Sequence, residues 1–233
     1  MKYSVIAIAL LLSGCAATQN QQPQEVASQV SPLVQHLDRG VEALSAGDMQ
    51  LAGSAIDQAL ALCAKELEGN EQRYYASRGM AESMFYMLMA AQSGADAVDI
   101  DTSCGDALYL RTYISVEQGD IDQAERLIRQ ALELSPANAM YLAELGHIYH
   151  LKRDWKGALD VFTKAESYAL AYSPEHRKVE ELGRAKRGMG FSLIELGQLD
   201  EAEAKFKECL ELNKQDLNAL QELEYIKQLR SQG

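Results

Sequence analysis

His147 and His150 stand three residues apart in a stretch of helical periodicity, so they share one helix face, where two metal ligands could sit. A metal centre needs a third and a fourth ligand at matching spacing, and no cysteine or carboxylate cluster supplies them. The other histidines, His36 and His176, lie far off in the chain. Surface histidines without a ligand role are therefore the simpler reading. The serine beside glycine at a turn lacks the strand–turn–helix setting of a nucleophile elbow. Carboxylates are plentiful, but on acidic helices they form a solvated face. No glycine-rich loop leads into a helix to cradle a phosphate, which argues against nucleotide. A net charge of −12 argues against nucleic acid, whose backbone is held by lysine and arginine. The expectation is a non-catalytic chain with no cofactor and no metal site.

The elements that position these residues are announced by a repeat. Gly119-Asp-Ile-Asp-Gln-Ala124, Arg153-Asp-Trp155-Lys-Gly-Ala158 and Gly197-Gln-Leu199-Asp-Glu-Ala202 open the same pattern three times. The pattern continues through Ile128, Phe162 and Phe206 to Ala131, Ala165 and Cys209. Ala124 and Ala158 are 34 residues apart, and Ala202 follows after a further 44. A 34-residue period of small and large apolar positions is the mark of stacked helix pairs. Leu145-Gly146-x-x-Tyr149 supplies the matching first-helix pattern, with Met189-Gly190-x-x-Leu193 in the next copy and a weaker Arg111-Thr112-x-x-Ser115 in the one before.

On these residues the chain resembles the tetratricopeptide repeat family, clearly over residues 105–214. The resemblance implies an all-α fold: a right-handed solenoid of antiparallel helix pairs closed by a C-terminal capping helix, here Leu217 to Leu229 with its one apolar face. Domain boundaries follow as 32–104 for degenerate N-terminal repeat-like helices and 105–233 for the solenoid with its cap. Ala46-Gly47 to Ala59 repeats the second-helix pattern upstream. Tyr74 to Gln92 reads as a degenerate helix pair, with Met80, Met84 and Met87 on one face, expected to pack in the core. The ten-residue excess before Ala202 falls between Ser167 and Gly183. Ser173-Pro174-Glu175 there looks like a capped helix start, leading a long helix to Leu196 that Gly183, Gly188 and Gly190 weaken by about 1 kcal/mol each. Such an extension is either a docking feature or variation without function.

In this family the first helix of each pair lines the concave surface. Carried over by position, that wall comprises Asp106, Tyr109, Tyr113 and Val116, then Met140, Ala143, His147 and His150, then Arg184, Arg187, Phe191 and Ile194. Tyr109, Tyr113, His147, His150, Arg184, Arg187 and Phe191 are the expected partner-binding residues, since aromatics and arginine anchor interfaces. Against this stands a structural role for Arg184 and Arg187, paired with Glu180, Glu181 or neighbouring helices. The asparagine and lysine set of the family's carboxylate clamp is missing, which speaks against chaperone-tail binding in that manner.

The N-terminus carries a second resemblance. Met1-Lys2 precedes an apolar run from Val5 to Leu12, too short to span a bilayer, and then Leu12-Ser13-Gly14-Cys15. This looks like a bacterial lipoprotein signal, residues 1–14, with Cys15 as the lipid attachment site. Ala16 after the cysteine favours outer-membrane sorting in a Gram-negative cell, with the chain facing the periplasm. More than one acyl chain gives lasting anchorage. Residues 15–31, rich in Gln, Ala and Ser, read as a flexible tether with a reach on the order of 20 Å. With Cys15 acylated and Cys209 at a small buried repeat position, Cys63 and Cys104 remain; in an oxidising periplasm they could pair, or stay as thiols.

Together these readings imply a lipid-anchored scaffold or adaptor that binds a protein or peptide partner in envelope assembly, in pilus, secretion or cell-wall machinery. The competing expectation is a permanent, non-catalytic subunit of an envelope complex, which would expose a large apolar patch.

Overall fold

The computed structural model describes residues 30–69 and 72–232. The expected signal segment, Cys15 and the tether up to residue 29 lie outside the described residues. α1 (Pro32–Ser45) and α2 (Met49–Glu66) form a first hairpin, and three further pairs follow: α4 (Ser103–Glu117) with α5 (Ile121–Leu134), α6 (Ala139–Leu151) with α7 (Trp155–Tyr172), and α8 (Glu175–Glu195) with α9 (Leu199–Leu212). α10 (Leu217–Gln232) caps the stack, burying Ala219 and Ile226 against α9.

One turn recurs because one local solution recurs. Gly47, Gly119 and Gly197 have φ of 76°, 77° and 76°, the left-handed region that glycine enters without a Cβ penalty. The next residue is the N-cap of the second helix: Asp48 and Asp120 accept the backbone N–H of Leu51 and Gln123. In the third turn Arg153 takes the left-handed position at φ 59°, and Asp154 still caps Gly157. In the fourth, Gln198 stands at the cap and its side chain makes no capping bond.

Between the first two pairs the expected helix pair is absent. The segment folds as β1 (Arg73–Ala76), α3 (Met80–Ser93) and β2 (Ala97–Ile100), the strands paired in parallel with Arg73 opposite Ala97. Each strand is only four residues of aromatic and β-branched character, too short to set a period of its own beside the helical pattern of α3. The methionines depart from expectation too: Met80 and Met84 are exposed and only Met87 packs inward. Glu82, Tyr86 and Ala90 are the residues α3 buries.

The unit docks on the lengthened ends of α7 and α8. Phe85 stacks on Tyr172 (ring centroids 4.5 Å apart) and meets Tyr168 edge-on, while Tyr75 stacks on Tyr86. Ser135 Oγ donates to the Ala76 carbonyl, and the Ala137 N–H donates to Tyr86. The ten-residue excess is thus the platform for the strand–helix–strand unit. Ser173, expected to cap α8, instead donates its hydroxyl to Glu181, and Pro174 holds the cap position without a side-chain bond.

Cys63 and Cys104 are joined as a disulfide with Cα atoms 5.6 Å apart, tying the end of α2 to the first turn of α4. Cys209 is a buried free thiol, its pKa pushed up to about 11 by that burial.

Candidate functional site

α6 is apolar on almost every side because it lies between neighbours, burying Tyr141, Leu142, Ala143, Leu145 and Ile148. Its close approach to α8 runs through Phe162 of α7. A Cβ on Gly146 would lie 2.7 Å from that ring, and one on Gly188 2.3 Å from it. Of the glycines that weaken α8 in isolation, Gly188 is therefore a seat for Phe162 and Gly190 for Phe206.

This packing gathers five of the seven expected partner-binding residues. His147, His150, Arg184, Arg187 and Phe191 line one cavity of about 350 Å³, floored by Phe162 and Phe206. Asn218 and Glu222 of α10 complete its rim. The family pattern of first helices had no place for these two, since they belong to the cap. His150 packs its ring 4.9 Å from Phe191 and 5.0 Å from Phe162, with Nε2 2.7 Å from Ser192 Oγ. Burial, then the neighbouring His147, lower its pKa to about 4, so at neutral pH it is an uncharged wall.

The arginines of the wall are already neutralised. Arg184 is ion-paired with buried Glu144, and Arg187 Nη1 lies 2.5 Å from Asp216 Oδ2. Burial would raise the Glu144 pKa, but His147 and Arg184 outweigh it and hold the carboxyl below its ordinary value. The partners come from α6 and from the turn before α10, not from Glu180 or Glu181.

Tyr109 lies in a second cavity, of about 770 Å³, between the first hairpin, α4, α6 and the start of α8. Its hydroxyl, 3.4 Å from Arg184 Nη1, joins the two cavities, and its ring stacks on Tyr141 at 5.6 Å. Asp106, Asp101 and Asp38 line this cavity with Arg78 and Arg177. Tyr113 is exposed and borders neither cavity. Tyr141, which the first-helix positions did not include, lines the cavity while buried, its hydroxyl donating to Asp106.

Among the described residues no three His, Cys, Asp or Glu side chains gather as metal ligands, and no helix is long and apolar enough to cross a membrane. The site is two adjoining polar–aromatic cavities along the first helices, suited to holding side chains of another molecule.

Models of the tetratricopeptide repeat match residues 115–174 and 188–216. The match takes in α5 to α7, the C-terminal third of α8 and all of α9. In overall structure the chain is similar to MamA 41-end from Desulfovibrio magneticus RS-1, at 14% identity and a TM-score of 0.56, covering 87% of each chain. It is also similar to MamA MSR-1 C2, at 17% identity and a TM-score of 0.51, over 85% of this chain and 87% of that one. The first TPR of Spaghetti (RPAP3) bound to HSP90 peptide SRMEEVD aligns at 19% identity and a TM-score of 0.49, over 57% of this chain and 97% of that one. No curated protein sequence matches the chain. The chain carries tetratricopeptide repeats, stacked as an all-α solenoid of helix pairs.

Proposed function

We propose that this tetratricopeptide repeat chain is a lipid-anchored periplasmic scaffold or adaptor, held at the outer membrane through Cys15 and binding a protein segment along its inner wall during envelope assembly. Tetratricopeptide repeats act as protein-binding scaffolds. The observation that carries the binding role is the cavity in which α6, α8 and α10 bring His147, Phe191, Asn218 and Glu222 together over an aromatic floor. Anchorage is supported by the Leu12-Ser13-Gly14-Cys15 signal, and the pairing of Cys63 with Cys104 fits an oxidising compartment. On this reading the wall serves recognition, its arginines held in place by ion pairs with Glu144 and Asp216.

Two changes test the two halves. Cys15→Ala should release the chain from the membrane fraction; retention there would end the lipid assignment. Phe191→Ala with Asn218→Ala and Glu222→Ala should lose a partner that the unaltered chain pulls down from the envelope. Equal recovery by both would move the partner off this wall.

A second reading, a permanent subunit of an envelope complex, is favoured by α3. Its exposed positions include Met80, Met84 and Leu88, an uncharged helix face suited to a lasting contact.

A further inference from the structure

α3 presents a face that neither the solenoid nor the paired strands cover. Met80, Met84, Leu88 and Ala91 follow one another at helical spacing, and all four are exposed. Met80, 79% exposed, is the most exposed large apolar side chain among the described residues. The face carries no charge, since Glu82, the one charged residue of α3, is buried and held by Arg78.

The topology sets this face beside the start of α1, where the described chain begins. β1 and β2 are parallel, so both strands end on one side, with Ser77 bonded to Asp99 across them. α3 begins on that side, shortly after Ala76, with Met80 as its first residue. α1 begins there as well: Ser31 and Pro32 line a cavity of about 380 Å³ with Asp101 and Ser103, just beyond β2. Residues 16–30 alone separate Ser31 from Cys15 in the chain. A tether with a reach on the order of 20 Å keeps Met80 close to whatever surface holds Cys15.

We infer that the face of Met80, Met84 and Leu88 rests on the lipid surface to which the chain is anchored. The inference rests on the reading of Cys15 as the lipid attachment site and adds a second, apolar contact to it. The size of the face favours lipid over a protein neighbour or a second copy. Three side chains on a 14-residue helix fall far short of the roughly 1,200 Å² that a stable protein interface buries. An anchored chain needs no such area, because its tether makes the second contact intramolecular. An amphipathic helix lies with its apolar face in the headgroup–acyl boundary, and flexible methionines adapt to a fluid surface. With no lysine or arginine on α3 and a net charge of −12, the contact suits zwitterionic and not anionic lipid.

The test uses the mature chain as cells make it, reconstituted in phosphatidylcholine vesicles with brominated acyl chains. A polarity-sensitive fluorophore is attached at Met84→Cys or, as a control, at Lys207→Cys on α9. Cys209 is buried and Cys63 and Cys104 are paired, so the introduced thiol takes the label. Vesicle flotation first reports anchorage. Among floated chains, the probe at 84 should shift to the blue and be quenched at least about two-fold more than the probe at 207. Adding Met80→Ser/Leu88→Ser should remove at least about half of that quenching. Equal quenching of the two probes, or quenching that ignores the serine changes, would overturn the inference and leave the anchor standing. A blue shift at 84 without quenching would overturn it too, in favour of a protein neighbour on this face. A chain that fails to float would overturn both the inference and the anchor.

Discussion

Arg78 reaches Glu181 across 103 residues of chain, Nη1 2.5 Å from Oε1. The pair closes the strand–helix–strand unit onto α8. The same guanidinium holds Glu82, which is fully buried, while Ser173 and Arg177 approach Glu181 from its other side. Two buried carboxylates thus share one clasping cation, whose charged form they favour against its burial. Removing one partner of such a pair leaves an uncompensated buried charge.

Arg78→Ala should therefore cost about 3–5 kcal/mol of stability. The loss should appear first as faster hydrogen exchange in α3 and β2. Unfolding by denaturant with no change in midpoint would show that the clasp is dispensable.

Gly188→Ala sets two effects against each other. Alanine gains about 1 kcal/mol of helix propensity, but its Cβ would stand 2.3 Å from Phe162 Cε1, and that ring is buried against Gly146 as well. Overpacking of this kind costs about 1–3 kcal/mol, so a net loss is expected in the denaturation midpoint. A gain would mean that α6 and α8 are free to separate.

The recurring turn can be improved where it departs from its own rule. Arg153→Gly relieves the one left-handed non-glycine residue among the described residues, and Gln198→Asp supplies the cap that the other second-helix turns have. Each should raise stability by about 0.5–1 kcal/mol. A loss from Arg153→Gly would reveal a contact made by that side chain.

Breaking the Cys63–Cys104 link by Cys63→Ala with Cys104→Ala should cost on the order of 4 kcal/mol in the chain-entropy view, for a sequence separation of 41. Reductant should lower the thermal midpoint of the unaltered chain and leave that of the variant unmoved. An equal response in both would place the redox effect elsewhere.

His150 gives a pH signature. Its pKa is lowered to about 4 in the fold from an ordinary 6.5, so between those values the unfolded chain binds the extra proton. Stability should be full above pH 6.5 and fall as the pH drops toward 4. His150→Gln should flatten the fall above pH 5; an unchanged slope would mean the ring is hydrated.

The helix pairs were legible because turn, cap and small-residue positions repeat: Gly119, Asp120 and Ala124 say the same as Gly47, Asp48 and Ala52. β1 and β2 were not, because four residues such as Arg73–Ala76 carry no period and their pairing depends on chain 24 residues away. The exposure of Met80 and Met84 was hidden for a related reason. An apolar stripe shows which residues share a face and not which face is covered. Five of the seven expected partner-binding residues share a cavity because first-helix positions map by register. Asn218, Glu222 and Tyr141 escaped because the cap and core positions follow no such rule.

The most direct measurement is site-specific photo-crosslinking in cells, with benzoylphenylalanine placed at Phe191 and Asn218 on the inner wall and at Glu201 and Lys207, both exposed on α9. Capture of one and the same protein from Phe191 and Asn218, with none from the α9 positions, is the predicted result. Capture from Glu201 or Lys207 alone would contradict a binding role for the inner wall.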